Sequence, residues 1–205
     1  MYIYIKMPSF KLINPIIIGE FRNTVEADNH LEAARDIWMG VSRYITQNLP
    51  MYAITVENLD DGKIYNFKIE EVKIGNETDY KICTDNKLSP EQLKEFKKLS
   101  NEVDSTASLA YQLSKENMKG GKRDRYKNFK YSAHDNVDDD DSSSTTSEDE
   151  KILKKYKILE NIKKPQPIVF WWYNPLIYKI PYIFVPSVKA PLMPYIEINL
   201  SSAFL

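Results

Sequence analysis

The first 84 residues contain short runs in which apolar and polar residues alternate, which is the pattern of strands with one buried face. Residues 52–57 (YAITVE) and 65–70 (YNFKIE) alternate in this way, and the cluster DDG at residues 60–62 is typical of a hairpin turn. Gly75 marks a second turn. The predicted extended segments lie within residues 1–22, 52–57, 65–70, 72–74 and 80–82.

A helical repeat interrupts these strands before Pro50. Asn29 followed by Glu32 has the spacing of a capping box, and Pro50 is a stop signal. Apolar residues between them recur at steps of three and four, as on the buried face of a helix. These residues are Leu31, Ala34, Trp38, Val41 and Ile45. The pattern predicts a β-α-β-β-β domain over residues 9–84, with one helix packed on a small antiparallel sheet.

A second helical signal begins at Ser89 and Pro90, because serine is a favourable N-cap and proline is a favourable first helical residue. Apolar residues continue at helical spacing through Leu99. A further helical stretch is expected from Ala107 to Leu113. Together these signals predict a helical extension that follows the first domain.

Residues 165–205 have the composition of an extended, aromatic tail. They hold seven of the eleven prolines and no glycine, so a regular helix is not expected. Between the prolines lie aromatic residues, which favour pleated surfaces and bury large areas. Such a segment cannot form a core by itself. It must cover its rings against the rest of this chain or against another protein, and the sequence leaves both interpretations open.

If the tail docks on a partner, its rings are the expected contacts, because Trp and Tyr anchors with few charges are typical of interface cores. The predicted partner-binding residues are Phe170, Trp171, Trp172, Tyr173, Tyr178, Phe184 and Tyr195. In the other interpretation these rings complete the core of the chain itself. Strand addition within one chain relies on the same physics as strand addition between chains.

Charge is distributed unevenly, although the formal net charge is only −1. Residues 118–134 carry six basic residues against one acidic residue, and residues 135–150 carry eight acidic residues and no basic one. Neither stretch has the apolar content that offsets the entropy of ordering, so residues 118–150 are predicted to be a disordered linker. Residues 151–164 (KILKKYKILENIKK) predict a short amphipathic helix before the tail.

The linker contains two kinds of candidate site. In its basic half, Lys and Arg residues, which could bind phosphates, are interleaved with Tyr126 and Phe129, on which bases could stack. This pattern is typical of a segment that contacts nucleic acid, and the alternative is a solvated, flexible arm. The predicted nucleic-acid contacts are Lys119, Lys122, Arg123, Arg125, Lys127 and Lys130. In its acidic half, three Ser or Thr residues each have an acidic residue three positions later, which is a context that acidophilic kinases accept. The alternative is a spacer that only keeps the chain soluble. The predicted phosphorylation sites are Thr145, Thr146 and Ser147.

The chain lacks the sequence patterns of an enzyme. Its two histidines, His30 and His134, are far apart, and no phosphate loop, nucleophile elbow or metal-ligand spacing occurs. Cys83 is the single cysteine, which excludes a disulfide framework and favours a reducing, intracellular setting. We expect a non-enzymatic protein with no cofactor and no metal. Neither a secretory signal nor a membrane span is expected, because prolines and Lys179 interrupt the apolar run 168–184.

The tail PIVFWWYNPLIYKIPYIFVPSVKAPLMPYIEINLSSAF resembles the carboxy-terminal segment of uncharacterised proteins of nucleocytoplasmic large DNA viruses, the giant viruses. An aromatic run, a Tyr-x-Pro element and the ending FVPS…APLMPYIEI carry the resemblance, which covers about forty residues. The resemblance implies a virion-associated protein whose partners are other viral structural proteins. It also implies a location in the virion, and in the viral factory of the host cytoplasm during assembly. It carries no known catalytic signature.

The order of GEF, EAARDIW, YAITVEN and KIYNFKIEE along residues 19–71 is similar to the methanogen chromosomal protein family, a small DNA-bending fold with a helix followed by a β-arm. This resemblance implies an alternative function, a nucleic-acid-associated protein of the viral core. Residues 1–83 carry nine basic against twelve acidic residues, whereas that family is strongly basic. The resemblance therefore implies that a DNA surface is lost or has moved to the arm Lys119–Lys130.

The sequence thus predicts an α+β protein in four parts. They are a small α+β domain (1–84), a helical extension (85–117), a disordered basic-then-acidic linker (118–150), and a short helix with an extended, β-like Pro/aromatic tail (151–205). The predicted function is a non-enzymatic, virion-associated structural or interaction protein anchored through its tail. No small-molecule substrate is expected. The first domain is expected to fold without the tail.

Overall fold

The computed structural model describes residues 7–75, 77–85, 88–118, 166–180, 182–189, 191 and 194–200. The predicted linker from residue 119 onward and the predicted amphipathic helix at 151–164 lie outside the described residues. In chain order the elements are β1 (Ser9–Asn14), β2 (Ile16–Ile18), β3 (Thr24–Glu26), α1 (His30–Ser42), β4 (Met51–Asn58), β5 (Ile64–Ile74), β6 (Glu77–Thr84), α2 (Pro90–Met118), β7 (Phe170–Tyr173), a 3-10 turn (Leu176–Tyr178) and β8 (Tyr195–Ile198).

Five strands of the first 84 residues form an antiparallel sheet in the order β3-β1-β4-β5-β6. Strand β4 pairs with β5 on either side of the predicted turn at residues 60–62. Strand β5 runs without a break from Ile64 to Ile74, so it joins two segments that the sequence pattern separates. Two helices accompany the sheet in the described part of the chain, and the predicted α+β class is confirmed.

Helix α1 begins where the capping pattern predicts it. The side-chain oxygen of Asn29 accepts hydrogen bonds from the amides of Leu31 and Glu32, both at 3.0 Å. This satisfies two of the amides that a helix start leaves without a partner. The buried face of the helix consists of Ala33, Ala34, Ile37, Trp38 and Val41.

Two members of the predicted helical stripe do not belong to it. Leu31 is 38% exposed in the first turn of α1. The helix ends at Ser42, so Ile45 lies beyond it and forms an isolated antiparallel bridge with Val188. The predicted end at Pro50 is therefore too late. The chain leaves the helix early because residues 44–47 pair with the tail instead.

Helix α2 is continuous from Pro90 to Met118, whereas the sequence predicted two helical stretches. Its start is confirmed: the Ser89 hydroxyl accepts a hydrogen bond from the amide of Gln92 at 3.3 Å, and the Gln92 side chain accepts one from the amide of Ser89 at 3.1 Å. No proline or glycine occurs from residue 91 to residue 118. Nothing in the sequence therefore breaks the helix between the two predicted stretches.

The tail contributes the middle strand of a second sheet, in the order β2-β7-β8. Strand β7 is antiparallel to β2, with Trp171 opposite Ile17, and parallel to β8, with Trp171 opposite Ile196. Every residue of β2 and of β7 is buried. A cis peptide bond between Asn14 and Pro15 lies where the chain passes from the first sheet into the second.

The fold divides into two compact units, Met1–Thr106 with Gln166–Leu205, and Ala107–Pro165. Of the second unit the structure describes the end of α2, residues 107–118. The sequence placed residues 1–84 and 151–205 in separate parts, whereas the described residues of the tail belong to the same unit as the first sheet. The reason is the pairing of β7 with β2.

Gly19 lies where β2 leads into a close contact between the main chain and the tail. The amides of Glu20 and Phe21 donate hydrogen bonds to the carbonyl oxygens of Gln166 and Pro167, at 2.9 and 3.0 Å. A Cβ atom on Gly19 would lie 2.8 Å from the carbonyl carbon of Pro167 and 2.9 Å from the oxygen of Gln166. Backbone atoms cannot move aside as a flexible side chain does, so only glycine fits here.

The close approach at Gly19 predicts a large effect for Gly19→Ala. We expect the free energy of unfolding, measured by urea denaturation, to fall by about 3 kcal/mol, because the added methyl group forces the tail backbone away. Gly75→Ala is the matched control, since a Cβ atom there meets nothing within 4 Å although φ is +64°. It should cost only about 1 kcal/mol, from backbone strain alone. Equal losses in the two variants would refute the clash.

Candidate partner-binding surface

Five of the tail rings predicted to bind a partner are enclosed in the protein's own core. All are at most 2% exposed: Phe170, Trp171, Trp172, Tyr173 and Tyr178. The ring of Tyr173 stacks on Tyr52 at 4.7 Å between centroids, and Trp172 stacks on Phe96 at 6.5 Å. This is the second interpretation that the sequence left open. A partner cannot reach these rings in this fold.

The enclosed rings also bear on the stability of the first domain. Removing the tail would take β7 from the side of β2, Tyr173 from Tyr52 and Trp172 from Phe96. Exposing such large apolar surfaces to water costs about 1.5–3 kcal/mol for each ring. We therefore expect the first domain to lose much of its stability without the tail, unlike the expectation from the sequence.

Asn14 holds the tail through three hydrogen bonds in the protein interior. Its side-chain nitrogen donates to the carbonyl oxygen of Asn174 at 2.8 Å and to the hydroxyl of Tyr178 at 2.8 Å. Its side-chain oxygen accepts from the amide of Asn174 at 3.0 Å. Asn14 and Asn174 are both fully buried. A buried amide that loses such partners leaves unsatisfied groups, so these bonds select one position of the tail.

A chain of hydroxyls extends this contact into the first sheet. The Thr55 hydroxyl donates to the side-chain oxygen of Asn66 at 2.8 Å and lies 2.6 Å from the hydroxyl of Tyr178. Because Thr55 uses its hydrogen on Asn66, Tyr178 must be the donor in the second bond. The hydrogen bonds therefore run from Asn14 through Tyr178 and Thr55 to Asn66, and they link β1, β4 and β5 to the tail.

Burial raises the pKa of three tyrosines in this core, because an ionised phenolate is poorly solvated there. Desolvation is the main cause for Tyr52, Tyr173 and Tyr178 alike. The hydrogen bonds of the Tyr178 hydroxyl with Thr55 and Asn14 oppose the rise of its pKa but do not reverse its direction. All three side chains therefore stay neutral in the folded protein well above the usual pKa of tyrosine.

The part of the tail that water can reach lies further along, at residues 182–185 (YIFV), which we call the exposed tail segment. Tyr182 is 70% exposed, Ile183 39% and Val185 48%. Phe184, one of the predicted partner-binding residues, is half-buried between them. Large apolar side chains that follow one another on the surface mark interaction sites more often than isolated ones do.

Hydrogen bonds to residues 44–47 fix the chain that follows this segment. The amide of Thr46 donates to the carbonyl oxygen of Ser187 at 2.9 Å, and the amide of Lys189 donates to the carbonyl oxygen of Tyr44 at 2.6 Å. The side-chain amide of Gln47 also donates to the carbonyl oxygen of Val185. The exposed tail segment is thus held next to residues 44–47 without being covered by them.

The exposed tail segment keeps open backbone donors. Within the described part of the chain, the amides of residues 182–185 donate no hydrogen bond. Free backbone amides beside apolar side chains are what a partner strand uses when it adds to a sheet edge.

The other predicted sites fall elsewhere. Tyr195 is half-buried in β8, where its ring stacks on Phe170 at 5.9 Å. His30 stacks on Tyr65 at 4.4 Å, and Cys83 is a half-buried thiol in β6. The predicted nucleic-acid contacts and phosphorylation sites, residues 119–130 and 145–147, lie outside the described residues and remain predictions.

Sequence reasoning missed two groups of residues. The predicted contacts did not include Tyr182, Ile183 and Val185. The sequence does contain a signal for them, because the run YIFV lies between two prolines and can therefore neither join a helix nor fill a central strand. The polar residues Asn14 and Thr55 carry no such signal. Their partners are distant in the sequence, and only the folded chain brings them together.

Comparison with known proteins finds a similar protein in a giant virus. The chain is 32% identical over 88 residues to the uncharacterized protein L492 of Acanthamoeba polyphaga mimivirus, and the match covers 42% of this chain and 49% of the viral protein. The chain thus spans about half the length of the curated relative that it matches. The match supports the giant-virus origin that the tail predicted. No protein-family model and no solved structure matches significantly, so the similarity to methanogen chromosomal proteins remains a prediction.

Two further structural findings concern the described ranges alone. No helix in them is both long and apolar enough to cross a membrane. Nor do those residues bring together three or more His, Cys, Asp or Glu side chains that could hold a metal ion.

The raised pKa values of the buried tyrosines predict a loss of stability in alkali. Above about pH 10 the unfolded chain releases the protons of Tyr52, Tyr173 and Tyr178, whereas the folded chain keeps them. Unfolding then becomes easier with each rise in pH. We expect the free energy of unfolding to fall by about 3 kcal/mol between pH 10 and pH 11, measured by urea denaturation.

Two variants separate the buried tyrosines from the exposed one. Tyr52→Phe should reduce this alkaline loss by about a third, and Tyr182→Phe, at an exposed ring, is the matched control. Tyrosinate absorbance that rises fully near pH 10 while the protein is still folded would contradict the prediction.

Proposed function

We propose that this chain is a non-enzymatic, virion-associated structural or interaction protein of a giant virus. It docks on another viral structural protein through the exposed tail segment, residues 182–185. The observation that carries the proposal is a surface run of large apolar residues whose backbone amides have no partner in the described part of the chain. The similarity to a mimivirus protein supports the viral setting.

The two halves of the tail have different tasks in this proposal. Strand β7 anchors the tail in the core, and Asn14 fixes its position. Residues 44–47 then hold the backbone just after the exposed tail segment. A segment whose neighbouring backbone is already held in place loses less conformational entropy on binding, so more of the contact energy appears as affinity.

The contact energy itself comes from apolar burial. Burying a large aliphatic or aromatic side chain contributes about 1.5–3 kcal/mol. Tyr182, Ile183 and Val185 are 39–70% exposed and therefore have much of this energy still available. Hydrogen bonds from the free amides to a partner strand add specificity of register.

The test removes the apolar side chains from the exposed tail segment and leaves the core intact. The variant Tyr182→Ser/Ile183→Ser/Val185→Ser should be incorporated into viral particles at least about tenfold less than the unchanged protein, because about three apolar contacts are lost. Its thermal unfolding should stay nearly unchanged, since these side chains are exposed. Quantitative immunoblotting of purified particles gives the readout.

The matched control removes as many exposed apolar residues at other positions. Leu31, Leu59 and Val72 are 38%, 49% and 36% exposed, and their triple Ser variant should be packaged normally. Normal packaging of the tail variant would refute the docking role. Equal loss in both variants would show that general surface polarity, rather than this segment, governs packaging.

A further inference from the structure

A second open edge belongs to the five-stranded sheet and involves none of the residues of the function proposed above. Strand β6 is the last strand of the five-stranded sheet, and within the described residues it pairs with β5 alone. One flank of α1 faces this edge. Arg35, Met39 and Ser42 on that flank are spaced by four and three residues, so they form a single stripe along the helix.

A cavity of about 250 Å³ lies between this stripe and β6. Asp79, Tyr80 and Ile82 line it from the strand. Cavities that bind drug-sized ligands measure about 300–1,000 Å³. A smaller cleft that lies along a strand edge is suited to a single side chain of a peptide.

The floor of the cleft is aromatic. The ring of Tyr80 meets Trp38 edge to face, at 5.2 Å between centroids and 75° between planes. Trp38 is only 3% exposed, so the floor is well supported, whereas Met39 at 49% exposure forms an open wall. An apolar side chain that enters the cleft would cover the half-buried ring of Tyr80 and the exposed Met39 side chain, and this burial is a source of affinity.

Arg35 supplies a cation to the cleft. In the described part of the chain its guanidinium makes neither an ion pair nor a hydrogen bond. Guanidinium groups pair with carboxylates through two parallel hydrogen bonds. The cleft also contains Asp79, whose carboxylate accepts a hydrogen bond from the amide of Tyr80 at 2.7 Å. Because the cleft has one cation, Arg35, and one anion, Asp79, it fits a ligand with a single acidic group better than a ligand with several.

We propose that this cleft binds an extended segment of a partner protein, which adds to β6 as a sixth strand of the sheet. The segment inserts an aromatic or large aliphatic side chain over Trp38 and Tyr80, and a neighbouring acidic side chain pairs with Arg35. The outward carbonyls of β6 and its outward amides other than that of Tyr80, which donates to Asp79, supply the backbone hydrogen bonds, which favour an extended peptide over a helix. The overhanging flank of α1 makes the edge selective, because it covers one face of the added strand.

The probe is an end-blocked peptide of about nine residues, the length of a strand, with alternating Val and Thr and a central Phe-Glu pair. We expect it to bind the full chain in fluorescence anisotropy, and replacement of its Phe by Ala, or insertion of a central Pro, to abolish binding. Replacement of its Glu by Gln should weaken binding about three- to tenfold. A peptide that fails to bind at about 1 mM would overturn the proposal.

Substitutions in the protein, rather than in the peptide, test the same contacts. Arg35→Gln should weaken binding by about the same three- to tenfold and should make the chain indifferent to Glu or Gln in the peptide. Arg43→Gln is the charge-matched control, since Arg43 lies just beyond α1 and does not line the cleft. Ser42→Trp should block the cleft without a change of charge. Equal effects of the two Arg variants would overturn the proposed carboxylate contact.

Hydrogen exchange locates the peptide and separates this site from the exposed tail segment. Binding should protect amides of β6 and leave the amides of residues 182–185 unchanged. Protection of the tail segment instead would overturn the proposal. The Ser triple variant of residues 182, 183 and 185 should bind the peptide normally, so failure of the docking function and failure of this site can be told apart.

Discussion

Four large aromatic side chains in succession on strand β7 must be covered on both faces, and the rest of the fold supplies that cover. Successive side chains of a strand point to opposite sides. Trp171 and Tyr173 accordingly meet Tyr52 of β4 on one side. Trp172 meets Phe96 of α2 on the other. A strand buried on both faces carries a continuous apolar run rather than an alternating one. The run FWWY is therefore the mark of a central strand inside this protein, and the described part of the tail is inseparable from the core.

Apolar packing alone does not choose one register for such a strand, because rings tolerate small shifts. The buried polar groups make that choice. Asn14 pairs with both the donor and the acceptor of the Asn174 backbone, and Tyr178 continues the network to Thr55. A shift by one residue would leave several of these groups buried without partners, at about 1–3 kcal/mol each. The network thus stabilises one arrangement of tail and sheet over its neighbours.

The two surfaces that we propose as docking sites share one physical origin. Each has backbone groups that find no partner in the described part of the chain, beside apolar side chains that water still reaches. Residues 44–47 hold the backbone next to residues 182–185, and side chains of helix α1 line a cleft along β6.

Local signals in the sequence determined much of this protein. Hairpin alternation, the Asn29 cap and the Ser89-Pro90 start are short-range effects, so they specify strands β4, β5 and β6 and both helix starts. The sequence also determined that the tail is extended and must find an apolar surface. Only the tertiary structure decided which surface that is. Strand β2, which pairs with β7, lies more than a hundred residues away in the chain, and composition cannot distinguish a strand buried in its own chain from one buried in a partner. Packing decided it: the rings of β7 became core, whereas Tyr182 stayed exposed.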